Sequence, residues 1–392
     1  MQDVYIIDIG RTPIGKFGGL LKDISPVDLA ASLLKELLRR SGIDKSKIDL
    51  TIIGNVLRAG HGQNIARQVA IKADVPYNAD SFSLDMVCSS GMLSMINAYN
   101  FIKAGNADLV VAGGTESMSQ AHFAIKHHIR WGVKMLNQSR LDIIDTMQYD
   151  GLTDPFNNKL MGVEADEIAK EFSIKREELD RVAYESHKRA AEATEKKLFK
   201  EIVPVAVGSS VVDKDEGIRY DTDMSKISAL KPAFGENGLH TAATSSQISD
   251  GASIALLASE RFIKENNIKA KAVIKAYEIV GVKPERFVYA PVESVRKLLR
   301  KIDKSIEDIA VFENNEAFAV SSALMNKELN IPYSKLNILG GAIAIGHPIG
   351  ASGSRIVATL LSAMDKLNAD NGIASICHGT GGATALYIER VR

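Results

Sequence analysis

Apolar runs and amphipathic stretches alternate along the chain. Val4–Ile9 and Leu50–Val56 are largely apolar, as is typical of buried strands, and Pro26–Arg40 between them has the apolar spacing of a helix. The same alternation returns at Val292–Arg300 and Ile309–Phe312. Strands that alternate with helices are typical of α/β layers. The pattern therefore predicts an α/β fold whose strands are largely parallel.

A short repeat indicates that the chain contains two related halves. The sequence Ile-Asp-Lys-Ser occurs at Ile43–Ser46 and again at Ile302–Ser305, so the two copies start 259 positions apart. At the same offset, Cys88 falls on His347. A helix with a proline near its start precedes each copy, which favours an internal duplication over a chance match. Two similar halves packed together would bring the equivalent turns, with Cys88 and His347, close to each other.

The region between the halves has a different character. Residues 119–248 carry several histidines and a strongly charged stretch at Ile174–Lys197, which is typical of a helix with a solvated outer face. The different composition of this region predicts an inserted segment that covers a functional site.

Charge and hydropathy exclude several classes of partner. The 392-residue chain has 48 basic and 48 acidic residues, so neither nucleic acid nor an anionic membrane is expected as its main partner. No apolar run approaches the roughly 18 residues that a membrane span requires. The N-terminal apolar run is too short for a secretion signal. We expect a cytoplasmic protein with two or three domains.

The chain has only two cysteines, and both occur where a reactive group is expected. Cys88 follows an apolar run and opens a helical stretch, so the exposed N–H groups and the dipole of the helix are expected to favour its thiolate. Cys377 ends the run Gly372–Ile376 and precedes a glycine turn. For either cysteine alone, a buried apolar role is the competing interpretation. The sequence surroundings of the two cysteines, together with the histidine motif described below, favour a reactive role over a buried apolar one.

Glycine-rich turns supply further candidates. His347 lies within the glycine-rich segment Gly340–Gly353, where small residues allow close approach to the backbone. Neither glycine run has the spacing of a phosphate loop or of a dinucleotide-binding turn, so phosphoryl transfer from a nucleotide and hydride transfer are excluded. The histidines and cysteines have no zinc-site spacing, and no metal is expected. Glu313–Ala319 places amides and carboxylates after a predicted strand, and a helix cap is the competing interpretation for one of its asparagines.

Five motifs occur along the chain: Arg11–Gly19, Val87–Met92, Gly113–Ser119, Asn315–Ala319 and the glycine run around His347. In their order and spacing they closely resemble those of the thiolase family, and within it the acetyl-CoA acetyltransferases. The Asn-Glu-Ala-Phe segment separates the chain from the ketoacyl synthases, which are similar in fold.

The resemblance implies a thiolase fold: a duplicated five-layer α-β-α-β-α core with an inserted loop domain. We expect an N-terminal half of residues 1–118 plus about 249–270. A loop domain for coenzyme A binding and oligomer contacts would cover 119–248, and the C-terminal half 271–392. A homodimer or homotetramer is implied.

The implied reaction is the condensation of two acetyl-CoA molecules to acetoacetyl-CoA and CoA, or the reverse thiolysis. A degradative 3-ketoacyl-CoA thiolase with a broader chain-length range is the alternative. A silent acyl-CoA-binding protein is disfavoured because Cys88, His347, Asn315 and Cys377 are intact. No metal or redox cofactor is implied, since coenzyme A is part of the substrates.

The resemblance also implies roles for individual residues. Cys88 would attack the first thioester and carry the acetyl group, and His347 would take its proton and later help to hold an oxyanion. Cys377 would remove a proton from the methyl group of the second acetyl-CoA. Asn315 would hold a water at the oxyanion site, and Gly379 would donate its N–H to the acyl-enzyme. The implied coenzyme A contacts are Leu152, Met161, Arg219, Phe234, Ala242, Ser246, Ala317 and Phe318.

Four positions depart from the family pattern. Leu160 stands where a histidine is frequent, and Phe287 stands where a methionine usually narrows the acyl pocket. Thr244–Gln247 replaces an Asn-Ala-Ser-Gly stretch, and His378 has no explanation from the sequence. These departures leave the acyl-chain preference open.

Overall fold

The computed structural model describes residues 2–131 and 142–391. Its strands, in chain order, are β1 Val4–Arg11, β2 Gly15–Lys16, β3 Leu50–Gly54, β4 Asp80–Leu84, β5 Leu109–Ser117, β6 Phe123–Ile125, β7 Ile143–Asp145, β8 Val205–Val207, β9 Ser210–Val212, β10 Ser249–Ser259, β11 Ala272–Gly281, β12 Val311–Asn314, β13 Asn371–His378 and β14 Gly382–Arg390.

The α-helices alternate with the longer strands. They are α1 Pro26–Ser41, α2 Ile65–Lys72, α3 Ser90–Lys103, α4 Met161–Glu171, α5 Arg176–Glu195, α6 Met224–Ser228, α7 Glu260–Glu265, α8 Ala290–Lys301, α9 Ala319–Leu329, α10 Ala342–Ile345 and α11 Ser352–Leu367. Short 3-10 turns occur at Lys45–Lys47, Met118–Gln120, His127–Trp131 and Pro284–Tyr289, and a π-turn occurs at Met147–Gly151.

The main sheet has the order β12-β13-β14-β11-β1-β10-β5-β3-β4, with β2 beside β10. The expectation of largely parallel strands is wrong. The pairs β12–β13, β3–β4 and β3–β5 are parallel, whereas β1, β10, β11 and β14 pair in antiparallel fashion. A tight turn between β13 and β14 allows only an antiparallel pair, because a parallel pair needs a long crossover.

The two halves of this sheet share one topology. In the N-terminal half the order β3-β5-β10-β1 has one parallel pair followed by two antiparallel pairs, and β12-β13-β14-β11 repeats that sequence of pairings. The parallel neighbour β4 of the first half corresponds to a single parallel bridge between Phe312 and Leu336 in the second. Residues Val4–Ile6 of β1 pair with β11 and join the halves. The shared order supports the predicted duplication.

Helices cover and separate the two half-sheets in five layers. α3 and α11 pack against each other in the centre and contact strands of both halves. Gly91 and Gly353 allow this approach, since a Cβ at Gly353 would lie 2.3 Å from the backbone nitrogen of Met92. α1 and α2 pack on the outer face of the first half, and α8 and α9 on that of the second. The central position of α11 explains why it is buried on nearly every side.

The region between the halves contains the hairpins β6–β7 and β8–β9 and the helices α4 to α6. The predicted charged helix is present as α5, with Leu179 and Ala183 on its buried face and charged side chains outside. Arg11 of β1 anchors this region to the core through buried bonds to Glu201 and Asp215. The division of the chain into three units stays a prediction. Within residues 2–131 and 142–391, no helix is long and apolar enough to cross a membrane.

Candidate active site

A strained turn holds Cys88 between β4 and α3. The N–H of Val87 donates to Asp85 Oδ1 at 2.8 Å, and the hydroxyl of Ser90 donates to the carbonyl of Val87 at 2.7 Å. The N–H of Met86 closes the turn by donating to Ser90 Oγ at 2.8 Å. Val87 has a φ of +47°, a backbone conformation that is energetically costly for a β-branched residue. Residues strained in this way are concentrated at functional sites. The turn thus fixes the thiol just before the first helical residue.

Cys377 lies at the end of β13, beside the Cys88 turn. Ser89 donates its hydroxyl to the carbonyl of Ile376 at 3.4 Å and lies 3.2 Å from the hydroxyl of Thr384 on β14. Burial raises the pKa of Cys377 well above its usual value, and the charge of Cys88 raises that pKa further. The structure therefore brings together the two thiols that the sequence separates by nearly 300 positions.

Burial and the helix start act in opposite directions on the Cys88 thiol. Burial raises the pKa of Cys88 to about 12 and outweighs the N–H groups of Gly379 and of Cys88 itself, which lower it as the prediction for a helix start expects. The side chain keeps some exposure at the cavity described below. Reaction at Cys88 consequently requires a base that takes the proton as the nucleophile attacks.

His347 has the properties of that base. Its backbone N–H donates to Ser249 Oγ at 3.2 Å, its Nδ1 lies 2.5 Å from Ser352 Oγ, and its Nε2 lies 3.4 Å from the Nδ2 of Asn315. Burial and then the positive charge of Arg355 lower the pKa of His347 to about 3. The imidazole is therefore neutral at neutral pH and can accept a proton.

These groups meet at one cavity of about 400 Å³. Cys88, His347 and Gly379 lie in its wall, while Cys377 and Asn315 are buried behind it. Six of the eight predicted coenzyme A contacts also line the cavity: Leu152, Met161, Phe234, Ser246, Ala317 and Phe318.

The other two predicted contacts lie outside this cavity. Arg219 is exposed and lines a separate cavity of about 140 Å³. Its backbone N–H donates to His187 Nδ1 at 3.2 Å. Ala242 is exposed. The structure therefore leaves the role of both residues as a prediction.

The wall of the main cavity is mostly apolar. Phe318 meets Phe234 and Phe287 edge to face, with ring centroids 5.8 Å and 6.2 Å away. Gly162 permits this packing, because a Cβ there would lie 2.3 Å from the ring of Phe234. Leu160, the residue in place of a frequent histidine, also lies in the wall. The slot suits an uncharged thioester arm more than a polar ligand.

The loop after Cys377 explains the unusual His378. Its Nδ1 lies 2.7 Å from the carbonyl oxygen of Gly379, which also accepts from the hydroxyl of Thr380. Thr380 has a φ of +72°, a strained value for a β-branched residue. The two side chains therefore hold the carbonyl of Gly379, the residue whose own N–H faces Cys88.

Sequence reasoning gave no role to Glu116, a buried carboxylate at the site. It accepts N–H bonds from Val56 at 3.0 Å, Leu57 at 3.1 Å and Gly350 at 2.9 Å, and its pKa is raised to about 7 by burial. It therefore ties the glycine turn of His347 to the N-terminal half. The available signal was an acidic residue inside the otherwise uncharged strand β5.

Arg355 was missed as well, although it is a basic residue in the otherwise uncharged first turns of α11. It is fully buried and donates from Nη2 to Asn315 Oδ1 at 2.8 Å. Among the described residues, no group of three or more histidine, cysteine, aspartate or glutamate side chains could hold a metal ion.

Comparison with known proteins agrees with this geometry. Residues 4–261 match the description of the thiolase N-terminal domain, and residues 268–390 match that of the thiolase C-terminal domain. The chain is 47% identical to an acetyl-CoA acetyltransferase of Synechocystis over all of both chains. It is 43% identical to a probable acetyl-CoA acyltransferase of Staphylococcus aureus, again over all of both chains.

Solved structures give the same result. The Acat5 thiolase of Ascaris suum, crystallised with coenzyme A, is 40% identical with a TM-score of 0.93 and covers 99% of this chain and 100% of its own. The acetyl-CoA acetyltransferase of Bacillus anthracis is 37% identical with a TM-score of 0.95 and covers 100% and 99%. The predicted thiolase fold is confirmed, and the chain belongs to the thiolase family of acyltransferase enzymes.

Proposed function

We propose that this chain is an acetyl-CoA C-acetyltransferase, which condenses two acetyl-CoA molecules to acetoacetyl-CoA and CoA and catalyses the reverse thiolysis. The observation that carries the proposal is the apolar cavity at which Cys88, His347 and Gly379 meet, with the buried Cys377 close to Cys88. The relative from Synechocystis, which bears this activity in its name, matches the chain from end to end.

The first half-reaction transfers an acetyl group to Cys88. As the sulfur attacks the thioester carbonyl, the neutral imidazole of His347 takes the thiol proton. The N–H groups of Cys88 and Gly379 stabilise the oxyanion that develops on the carbonyl. The carbon–sulfur bond to coenzyme A then breaks, and Cys377, which burial keeps as a thiol, gives its proton to the leaving thiolate.

The second half-reaction forms the carbon–carbon bond. The Cys377 thiolate left by the first step takes a proton from the methyl group of a second acetyl-CoA. His347, now protonated, and a water held by Asn315 stabilise the enolate oxygen. The enolate carbon attacks the acetyl group on Cys88, the bond to Cys88 sulfur breaks, and His347 returns its proton to that sulfur. Each group thereby regains its starting state.

The loop domain is proposed to bind the rest of coenzyme A, with Arg219 and Ala242 contacting the part of the ligand outside the cavity. The β6–β7 hairpin exposes Phe123 and Ile143, and apolar side chains of this size at a surface are typical of subunit contacts. These residues support a homodimer or homotetramer. We propose a cytoplasmic location, as the sequence indicates.

Substitution of the two cysteines tests the division of labour. After incubation with acetyl-CoA, Cys88→Ser is expected to lose the covalent acetyl adduct seen by intact mass spectrometry. Cys377→Ala is expected to keep the adduct, because a thiolate can leave without full protonation, and to lose the condensation activity. Cys88→Ala serves as the matched control. Equal loss of the adduct in the Cys88 and Cys377 variants would contradict the assigned roles.

Chain length separates the proposed enzyme from a degradative thiolase. Phe287 and Phe318 pack together at the cavity wall and leave little room for a long acyl chain. We expect thiolysis rates on a series of 3-ketoacyl-CoA esters to fall sharply at six carbons and beyond. A flat profile would favour the degradative alternative, and Phe287→Ala is expected to extend the accepted length.

A further inference from the structure

Arg355 is a buried cation with one hydrogen bond to a proposed site residue. Its side chain is fully buried at the contact of α11 with the core, and its Nη2 donates to Asn315 Oδ1 at 2.8 Å. Its Nε and Nη1 have no hydrogen-bond partner among residues 2–131 and 142–391. Burial of a cation is costly unless it is compensated, so the position of Arg355 requires an explanation beyond packing.

The guanidinium determines which end of the Asn315 amide faces the site. Oxygen and nitrogen of an asparagine amide are hard to tell apart by shape, but a guanidinium only donates hydrogen bonds. The atom that contacts Arg355 must therefore be the oxygen. The Nδ2 group of Asn315 consequently points to Nε2 of His347, at 3.4 Å.

The orientation of that amide in turn fixes the protonation of His347. An N–H of Asn315 requires an unprotonated Nε2 as its acceptor, so the proton of the neutral imidazole lies on Nδ1. Nδ1 then donates to Ser352 Oγ at 2.5 Å, and Ser352 passes its own hydrogen to the carbonyl of Pro348 at 2.9 Å. Every donor and acceptor along this relay agrees in direction.

We propose, on the basis of the proposed function, that Arg355 is a positioning residue that acts through Asn315 to keep Nε2 of His347 unprotonated, as the base for Cys88 requires. Without the guanidinium, the amide of Asn315 can rotate and present its oxygen to His347. That arrangement favours a proton on Nε2, which removes the base. It also turns the amide N–H groups away from the enolate.

The electrostatic surroundings of Arg355 agree with this role. The charged and titratable groups that face it are Glu313, Glu316, Arg11 and Asp215. Burial raises the pKa of Glu313 well above its usual value, although the charge of Arg355 acts in the opposite direction. Burial lowers the pKa of Arg355 to about 10, which still leaves the guanidinium charged. Within the described part of the chain, the donors of this cation are only partly satisfied, and its charge acts on His347.

A double-mutant cycle tests the proposal. Arg355→Met and Asn315→Ala are each expected to lower the thiolysis rate about 10²-fold, as is typical for loss of one oriented donor. The double variant is expected to lie within about threefold of Asn315→Ala, because Arg355 acts through that amide. A rate loss in the double variant equal to the product of the two single losses would refute the proposal, because a purely structural role of Arg355 would not depend on Asn315.

Alkylation of Cys88 gives a readout that does not need turnover. The rate of modification by iodoacetamide, followed by intact mass, reports whether His347 assists the thiol. We expect Arg355→Met to lower this rate about tenfold and the double variant to match Asn315→Ala. If the wild type fails to process acetyl-CoA, the proposed function fails, and the alkylation cycle still decides the role of Arg355.

Two further variants separate positioning from folding. Arg355→Lys keeps a cation and one donor but lacks the rigid planar guanidinium. Its thiolysis rate is therefore expected to be about tenfold higher than that of Arg355→Met. Among the described residues, the Glu313 carboxyl has no hydrogen-bond partner, so Glu313→Gln keeps the shape of this buried neighbour and is expected to leave the activity within about threefold of wild type. A Lys variant as inactive as the Met variant, with an unchanged melting temperature, would overturn the proposal.

Discussion

Arg11 and Arg355 are both fully buried, and their surroundings differ. Arg11 donates to Asp215 at 2.6 and 2.9 Å and to Glu201 at 3.2 Å, and these carboxylates raise its pKa. Arg355 has one amide oxygen as its partner, and its pKa is lowered to about 10. A cation with matched carboxylates stabilises the fold, whereas a poorly compensated cation beside a reactive group indicates chemistry.

The largest expected difference between the two arginines is in the free energy of unfolding of their variants. Arg11→Met leaves two buried carboxylates without their partner and is expected to cost about 3–5 kcal/mol of unfolding free energy. Arg355→Met removes one charge-assisted hydrogen bond and is expected to cost about 1–3 kcal/mol. Denaturant titrations of both variants measure the difference. Similar losses, or a greater loss for Arg355→Met, would show that the two arginines do the same structural work.

A smaller effect, on the pH profile of kcat/KM, would sharpen the comparison of Arg11 with Arg355. Arg355 is the charge that faces His347, and together with burial it lowers the pKa of His347 to about 3. His347 accepts a proton only when neutral, so a variant in which its pKa rises loses activity at a higher pH. We therefore expect the acid limb of kcat/KM to move to higher pH in Arg355→Met and to stay in place in Arg355→Lys.

The matched control is Arg11→Lys. It alters the other buried cation, which does not act on His347, and should leave the acid limb where it is in the wild type. An acid limb that moves equally in the Arg11 and Arg355 variants would mean that His347 responds to the buried charge of the core in general.

The sequence allowed the main features of the fold to be predicted where local pattern and spacing determine them. The repeat at Ile43–Ser46 and Ile302–Ser305 indicated two halves, and the half-sheets share one strand order. The direction of the central strands could not be predicted in this way. β10 and β14 return after long or tight connections, and apolar runs alone do not distinguish parallel from antiparallel neighbours.

For the site, the sequence indicated which side chains matter but not how their environment tunes them. The glycine turns pointed to Cys88, His347 and Gly379, which share one cavity in the structure. The N–H donors that lower the pKa of Cys88 could be predicted from its position before a helix, whereas the opposing effect of burial could not, because burial is not visible in a sequence. Arg355 escaped notice because its importance depends on the amide of Asn315, 40 positions away.

The matching half-sheets have a consequence for the origin of the machinery. Cys88 and His347 lie in the turns that precede α3 and α11, the matching central helices of the two halves, so equivalent turns of a symmetric ancestor now carry a nucleophile in one copy and a proton acceptor in the other. Two identical thiols, or two identical imidazoles, would lack this complementarity. Fusion of the copies into one polypeptide allowed the two positions to diverge, which is the step that a dimer of identical subunits cannot take.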